Sequence, residues 1–429
     1  MTDIVFAAAT GTGGAITIIR ISGAGAGNLL RTLAGPLPRP RMATLRTLRD
    51  NSGQALDRGL VLWFPAPKSY TGEEYAELHI HGGRAVRTAV ADVLVALGAR
   101  PAEPGEFSRR AFANGKLDLL EAEGVADLIN AETESQRRMA VEQADGEASS
   151  AVAHWRQTLI KLLAQLAAII DFADDDLPTE VERTLRAELQ SFREEIATAL
   201  GAWDAAERLR EGIDIVVLGA PNAGKSTLIN ALAGEEISIV SDIAGTTRDA
   251  VGTRVQIAGV PVRLVDTAGL RETTDSVEAE GVRRARAHGA KADLLLLLAP
   301  PPDFSFPRAP EGVESILIST KSDLLYTVPD GTLPISAKTG KNMSILADKL
   351  ADAVRRLTDR GGAPGFARPR HRACLRDILS HLDNALAEYQ PELCAAELQG
   401  ASHVLARLAG AVGVEEVLDE VFSAFCIGK

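Results

Sequence analysis

Cysteine is nearly missing from this 429-residue chain: Cys374, Cys394 and Cys426 are all it has, in no paired spacing. That excludes a disulfide scaffold and a zinc knuckle, and it fits a reducing, cytoplasmic setting. Long apolar runs are missing as well. The longest helical one, Leu162–Ile170, is far too short to cross a bilayer, so no membrane association is expected. The opening Met1-Thr2-Asp3-Ile4 has no basic stretch, so no secretory signal is expected. Nor is there an excess of positive charge. With 46 Lys and Arg against 58 Asp and Glu, the net charge of −12 excludes a blanket nucleic-acid binder. The balance is uneven, however. Residues 1–116 hold 14 basic and 9 acidic side chains, so a local nucleic-acid contact belongs there sooner than in the acidic remainder. Ordinary surface variation explains the same asymmetry on charge alone.

The chain is organised around Gly219-Ala220-Pro221-Asn222-Ala223-Gly224-Lys225-Ser226-Thr227, with the spacing G-x-x-x-x-G-K-S. A β-rich run, Ile213–Leu218, precedes it, and Leu228-Ile229-Asn230-Ala231-Leu232 reads as helix behind it. In this context backbone N–H groups close around phosphates at a helix N-terminus. Lys225 then reaches the β- and γ-phosphates, and the Ser226 hydroxyl ligates Mg²⁺.

Three later segments narrow the nucleotide to GTP. Asp266-Thr267-Ala268-Gly269 follows the strand Val262–Val265, placing Asp266 to hold Mg²⁺ through water and Gly269 N–H near the γ-phosphate. Thr320-Lys321-Ser322-Asp323 follows the strand Ser315–Ser319; Asp323 can accept both N1–H and N2–H of guanine, a pair that adenine lacks. Ser336-Ala337-Lys338 follows Leu333-Pro334-Ile335 and offers backbone N–H to guanine O6. The base-reading segment ordinarily starts with Asn. Here it starts with Thr320, a departure that bears on bracing of the loop more than on guanine choice.

Ras-type sites orient the attacking water with a Gln after the D-T-A-G glycine. This chain has Leu270, which cannot. The following loop offers Glu272, Asp275, Glu278 and Glu280.

Residues 1–116 read as α/β: strands at Ala15–Ile21, Leu60–Phe64 and Tyr75–His81, then a helix over Arg84–Leu97 ended by Gly98. From Lys116 to about Arg210 the chain is helical, with Leu117, Leu120, Val125 and Leu128 roughly on one face. Asp174-Asp175-Asp176 reads as the acidic start of a helix rather than a metal site. Five prolines between Ala299 and Pro310 forbid a regular helix over Pro301–Glu311. Gly361–Gly365 is a linker, and Arg368–Phe425 is helical again with a joint at Pro391. The expected organisation is therefore multidomain, α/β and all-α: an N-terminal α/β domain at 1–116, a discontinuous helical domain at 117–211 and 361–429, and an inserted Ras-like P-loop GTPase domain at 212–360.

Further segments carry a resemblance: Arg20-Ile21-Ser22-Gly23, Tyr70-Thr71-Gly72-Glu73-Glu74, Glu77 before His81-Gly82-Gly83, Pro104-Gly105-Glu106-Phe107-Ser108, Asn114-Gly115-Lys116-Leu117-Asp118, Asp242-Ile243-Ala244-Gly245-Thr246-Thr247-Arg248-Asp249, and the terminal Cys426-Ile427-Gly428-Lys429. With them, the whole chain resembles the MnmE (TrmE) family of tRNA-modification GTPases. The resemblance implies a homodimer working with the FAD-dependent MnmG (GidA) protein in a heterotetramer or larger complex, with tRNA as substrate. The pair adds an aminomethyl-type group to C5 of the wobble uridine.

It implies an N-terminal domain that dimerises and binds a tetrahydrofolate derivative, of 5-formyl or methylene type, through Arg20, Glu77, Lys116 and Lys429. It also selects Glu278 to orient water beside Lys225, adds Thr247 to Ser226 as a Mg²⁺ ligand, and puts K⁺ on Asn222, Ser241, Ile243 and Thr246. GTP contacts then run through Ser241–Thr247, including Asp242, Ala244 and Gly245.

Cys426 mimics a prenylation box, but Gly428 and Lys429 do not fit one. A catalytic thiol and a helix-packing residue both remain open for it. Two other functions stay open: a switch GTPase for ribosome assembly, and a folate-dependent transferase whose GTPase is vestigial.

Overall fold

The structure, a computed structural model, describes residues 3–11, 13–171, 179–234, 252–266, 292–324, 326–388, 390–411, 418–419, 421–422, 425 and 428. The chain divides into two compact units, one of residues 1–126, 143–156 and 402–429, the other of 127–142 and 157–401.

In the first unit one sheet holds β1 (Val5–Ala8), β2 (Ile16–Ser22), β3 (Thr44–Arg49), β4 (Ala55–Phe64), β5 (Tyr75–His81) and β6 (Arg100–Pro101). Their order is β3-β4-β5-β2-β1-β6, antiparallel except for the β1–β6 pair. Side chains alternate between faces along a strand. Ile19, Ile21, Val61, Trp63, Leu78 and Ile80 take one face and are covered by α1 (Ala26–Ala34) and α2 (Arg84–Ala96), which bring Leu30, Leu33, Val90 and Leu94. Arg20, Glu77 and His79 take the other face, with Ile16, Leu45 and Leu60 exposed beside them.

After α3 (Glu106–Ala113) comes α4 (Leu119–Asn130), where the structure corrects the expected apolar face. Leu120 is buried, but Leu128 is exposed; the helix instead buries Leu119, Ala122, Gly124 and Ala126. The cause is a close approach of backbones. A Cβ on Gly124 would lie 2.5 Å from Ala144 N, so the small-residue side turns inward and Leu128 turns out.

α5 (Glu134–Ala144) and α6 (Glu147–Asp171) contribute to both units. The second unit continues with α7 (Thr179–Gly201), α8 (Trp203–Glu211), β7 (Ile213–Gly219), α9 (Lys225–Gly234), β8 (Thr253–Ile257), β9 (Val260–Asp266), β10 (Leu294–Ala299), β11 (Ser315–Ser319) and β12 (Leu333–Pro334). Three helices close it: α10 (Met343–Leu357), α11 (Pro369–Ala387) and α12 (Pro391–Leu408). The strand order is β12-β11-β10-β7-β9-β8, parallel throughout except for the edge strand β8. β7 and β10 bury residues on both sides, as strands of a doubly covered parallel sheet do. The order reverses about β7, the place where open α/β sheets bind ligands at the carboxyl ends of their strands.

The proline-rich stretch behaves as its composition requires. No helix occurs over 300–314; Phe306 and Val313 pack on Leu295 and Leu297 in its place. Among the described residues no helix is long and apolar enough to cross a membrane.

Gly124→Ala should cost about 1–3 kcal/mol, because the added methyl meets backbone atoms that cannot rotate away. Urea unfolding followed by circular dichroism measures this; an unchanged midpoint would contradict the close approach at Ala144.

Candidate functional site

The phosphate loop lies between β7 and α9, where Asn222 (φ 60°) and Gly224 (φ 92°) both take left-handed backbone. Such values suit Gly and are tolerated by Asn. Gly219 is needed for packing instead, since a Cβ there would stand 2.8 Å from Leu298 O. Lys225 Nζ arches back over the loop and donates to Gly219 O at 3.0 Å and Ala220 O at 3.1 Å. Asn222, Ser226 and Thr227 are exposed, and Ala223 is buried beneath them.

β9 delivers Asp266 to the same place. The Ser226 hydroxyl donates to Asp266 Oδ2 at 2.5 Å. Two oxygen donors from different elements thus converge at the loop, a donor set suited to a hard divalent cation.

On the other side of β7, β11 ends in the base-reading segment. Thr320 supplies the bracing that the sequence left in question: its hydroxyl donates to Ala223 O at 2.8 Å within the buried interior. The segment is further pinned by Thr320 N–H to Ala299 O (3.0 Å) and Ser322 N–H to Ile335 O (2.9 Å). Lys321 takes a left-handed φ of 57°, and Asp323 stands exposed after it. Ser336 is buried, with Ala337 and exposed Lys338 following. A hydrogen bond from the Ser336 hydroxyl, with Lys338 and Lys341 adding charge, holds the Asp323 carboxyl below its ordinary 3.8.

The structure therefore brings Asn222–Thr227, Asp266, Thr320–Asp323 and Ser336–Lys338 to the carboxyl ends of adjacent strands. Ser241–Thr247, Thr267–Gly269, Leu270, the four candidate acids including Glu278, and Asp174–Asp176 lie outside the described residues.

In the first unit Arg20 and Glu77 are cross-strand partners, 3.7 Å from Nε to Oε1. Arg20 Nε is buried and makes no hydrogen bond among the described residues. Its Nη1 donates to Gly428 O at 3.2 Å, so the terminal segment reaches this point, though Cys426 and Lys429 themselves lie outside the described residues. Lys116 packs over the turn at Gly72, whose missing Cβ would be 3.3 Å from Lys116 Cε.

Three further side chains here escaped the sequence reading. Tyr75 donates to Glu77 Oε1 at 3.0 Å, and burial pushes its phenol up, so it keeps its proton. His79 Nε2 lies 3.2 Å from Glu77 Oε2, and the Arg20 guanidinium sits 5.8 Å from the Tyr70 ring centre. The alternation Tyr75, Glu77, His79 along β5 was the available signal.

Family comparison bears on both sites. A model described as GTP-binding protein TrmE N-terminus matches residues 4–116, and one described as MnmE helical domain matches residues 119–426. The chain belongs to the MnmE family of tRNA modification GTPases. The MnmE protein of Acidiphilium cryptum is 60% identical over 427 residues, covering 100% of this chain and 99% of that one. That of Gluconacetobacter diazotrophicus is 51% identical over 434 residues, covering 99% and 98%. Among solved structures, a point variant of Aquifex aeolicus Era bound to GDP and AlF4 covers 42% of this chain and 69% of its own, with 23% identity and a TM-score of 0.26.

Because the Asp323 carboxyl titrates below its usual range, it stays charged from neutral pH down into acid. Guanine-nucleotide affinity should be flat down to about pH 5 and be lost only as pH falls through the depressed value. Ser336→Ala should move that loss to higher pH. Fluorescent GDP titrations across pH check both; a Ser336→Ala profile that overlays the wild type would contradict the Ser336 contact.

Proposed function

We propose that this chain is a GTP hydrolase whose cycle drives the addition of an aminomethyl-type group, carboxymethylaminomethyl included, to C5 of the wobble uridine (position 34) of certain tRNAs. Its family supports GTP hydrolysis. The observation that carries the nucleotide reading is the convergence of Ser226 with Asp266 and of Thr320 with Ala223 at neighbouring strand ends. The net charge of −12 speaks against a general RNA-binding switch for ribosome assembly.

Mg²⁺ fits the Ser226 and Asp266 oxygens, with Thr247 as the further ligand; it would neutralise charge on the phosphates. Lys225 binds the β- and γ-phosphates in exchange for the two carbonyls it now caps. Asp323 takes the guanine N1–H and N2–H, and N–H groups at Ser336–Lys338 take O6. K⁺ would be held by Asn222, Ser241, Ile243 and Thr246 when two GTPase modules meet. Glu278 orients water in place of Leu270.

For the one-carbon carrier, the donors fit a tetrahydrofolate derivative. Glu77, oriented by Tyr75, accepts from the polar edge of a pterin, while Arg20, whose Nε makes no hydrogen bond among the described residues, and Lys116 and Lys429 suit the carboxylates of the tail. The part of this sheet face that α3 leaves open, with Ile16, Leu45 and Leu60 exposed, supports a homodimer through the N-terminal domain. The FAD-dependent MnmG protein would be its partner and the cytoplasm its location. Nucleoside mass spectrometry of tRNA from cells lacking the gene tests this reading; unmodified wobble uridine restored by the wild-type gene is expected, and an unchanged nucleoside profile would overturn it.

Asp323→Asn should weaken GTP by about 2–4 kcal/mol through loss of a charge-assisted pair, and should favour xanthosine triphosphate. Competition between the two nucleotides reads this out.

Glu278→Ala should slow turnover by about 10²–10⁴ with nucleotide affinity nearly intact. Asn222→Ala should abolish K⁺ stimulation and K⁺-dependent association of the GTPase modules, an association that Glu278→Ala leaves in place. Parallel K⁺ titrations of turnover and association separate the two. Equal wild-type turnover in Na⁺ would refute the cation's role, and normal turnover of Glu278→Ala would return the search to Glu272, Asp275 and Glu280.

A further inference from the structure

We propose that Thr320 spends its only hydroxyl proton on the phosphate loop, and that the N7 edge of the bound guanine therefore goes unread in this protein. The inference rests on the guanine-nucleotide reading above and adds a specificity to it.

A threonine hydroxyl has one proton and two lone pairs, and a backbone carbonyl can only accept. In the 2.8 Å contact between Thr320 Oγ1 and Ala223 O the proton must come from Thr320. The contact is closed to water: Thr320 is 6% exposed and Ala223 fully buried. Nor can the side chain turn away cheaply. Its backbone is fixed by the N–H bond to Ala299 O, its β-branched side chain is stiff at χ1, and rotation would leave a buried carbonyl without a donor.

Guanine presents two distinct edges. N1–H and N2–H go to Asp323, and O6 accepts from backbone N–H after Ser336. N7 lies on the five-membered ring, which carries the ribose and hence faces the phosphate side of the site. It is an acceptor and needs a donor. A carboxamide at position 320 has two N–H protons, one for the Ala223 carbonyl and one for N7. The hydroxyl has none left after the first. Thr320 thus keeps the structural half of the role and drops the base-reading half.

The test compares dissociation constants of GDP and 7-deazaguanosine diphosphate, which replaces N7 by C–H, on the full-length protein. Wild type should bind the two within about twofold of one another. Thr320→Asn should tighten GDP but not the deaza analogue, raising the ratio to about fivefold or more. Thr320→Val, which keeps the shape and removes the proton, should weaken both equally by about tenfold.

Thermal unfolding of each variant checks that it folds; if Thr320→Asn does not, the wild-type ratio decides alone. A wild-type loss of about fivefold or more with the deaza analogue would show N7 being read and overturn the proposal. Failure of the wild type to bind GDP at all would instead overturn the nucleotide reading beneath it.

Discussion

The middle of a strand buried on both faces has no room for charge, and the second unit is built around two such strands. Ile213, Ile215 and Val217 of β7 point into one apolar layer and Val216 and Leu218 into the other; Leu294–Ala299 of β10 do the same. From Ile215 onward a polar side chain in either strand would be stranded without water; Asp214, at the start of β7, is only half-buried and pairs with Arg263. All the chemistry is therefore displaced to the carboxyl ends, where the chain must turn anyway. Lys225, Asp266 and Asp323 are far apart in sequence, yet the parallel register fixes them along one edge. The same constraint makes the turns tight: Gly219 lies too close to Leu298 for any side chain.

That constraint explains what was legible beforehand. A short apolar run followed by a polar segment reads as a buried strand with its functional end, and β7, β9, β11 and β12 all appear where such runs stand. The absence of a helix over Pro301–Glu311 was equally readable, since proline acts locally. What could not be read depends on where distant backbones meet. Thr320 put the bracing of its loop in question, and only the Ala223 carbonyl beside it answers that. The face of α4 was misjudged because Gly124 approaches Ala144, an approach that no periodicity encodes. Tyr75 and His79 were hidden for a different reason: alternation placed them on a face with Glu77 but could not show that α3 covers this face at Tyr75 and leaves it part-open at His79.

The first unit solves the opposite problem, how to keep charges in a largely apolar body. Arg110 is 1% exposed and is fully engaged by Asp3, Glu73 and Glu106. Burial opposes ionisation of Glu106, but hydrogen bonds from Arg100 and Arg110 outweigh it and hold its carboxyl below the usual range. Glu73 also accepts from Ser22 Oγ at 2.9 Å, and Ser22 contacts Thr71 at 2.7 Å. The network thereby fixes the end of β2, two residues from Arg20, against the turn over which Lys116 packs. Such a cluster contributes little net stability compared with an apolar core, but removing one partner leaves a buried charge exposed to no solvent. Its effect is orientational, and it is aimed at Arg20 and Lys116.

The placing of the nucleotide-binding sheet within a longer helical chain follows from one more local arrangement. The chain enters at Gly212 and leaves after Leu357, and Arg208 ties the two points together, reaching Asp293 at 2.7 Å and Leu357 O at 3.5 Å. Just beyond, Trp203 donates to Arg368 O at 3.0 Å while Arg372 stacks 4.2 Å over its ring. Arg193 then pairs with Asp383, joining α7 to α11 across 190 residues of sequence. Helices on either side of the insert thus pack as though it were a short loop. A body whose ends lie this close can be accommodated between two helices at little cost to their packing, and a helical-domain model spanning 119–426 can run through a chain whose middle is a parallel sheet.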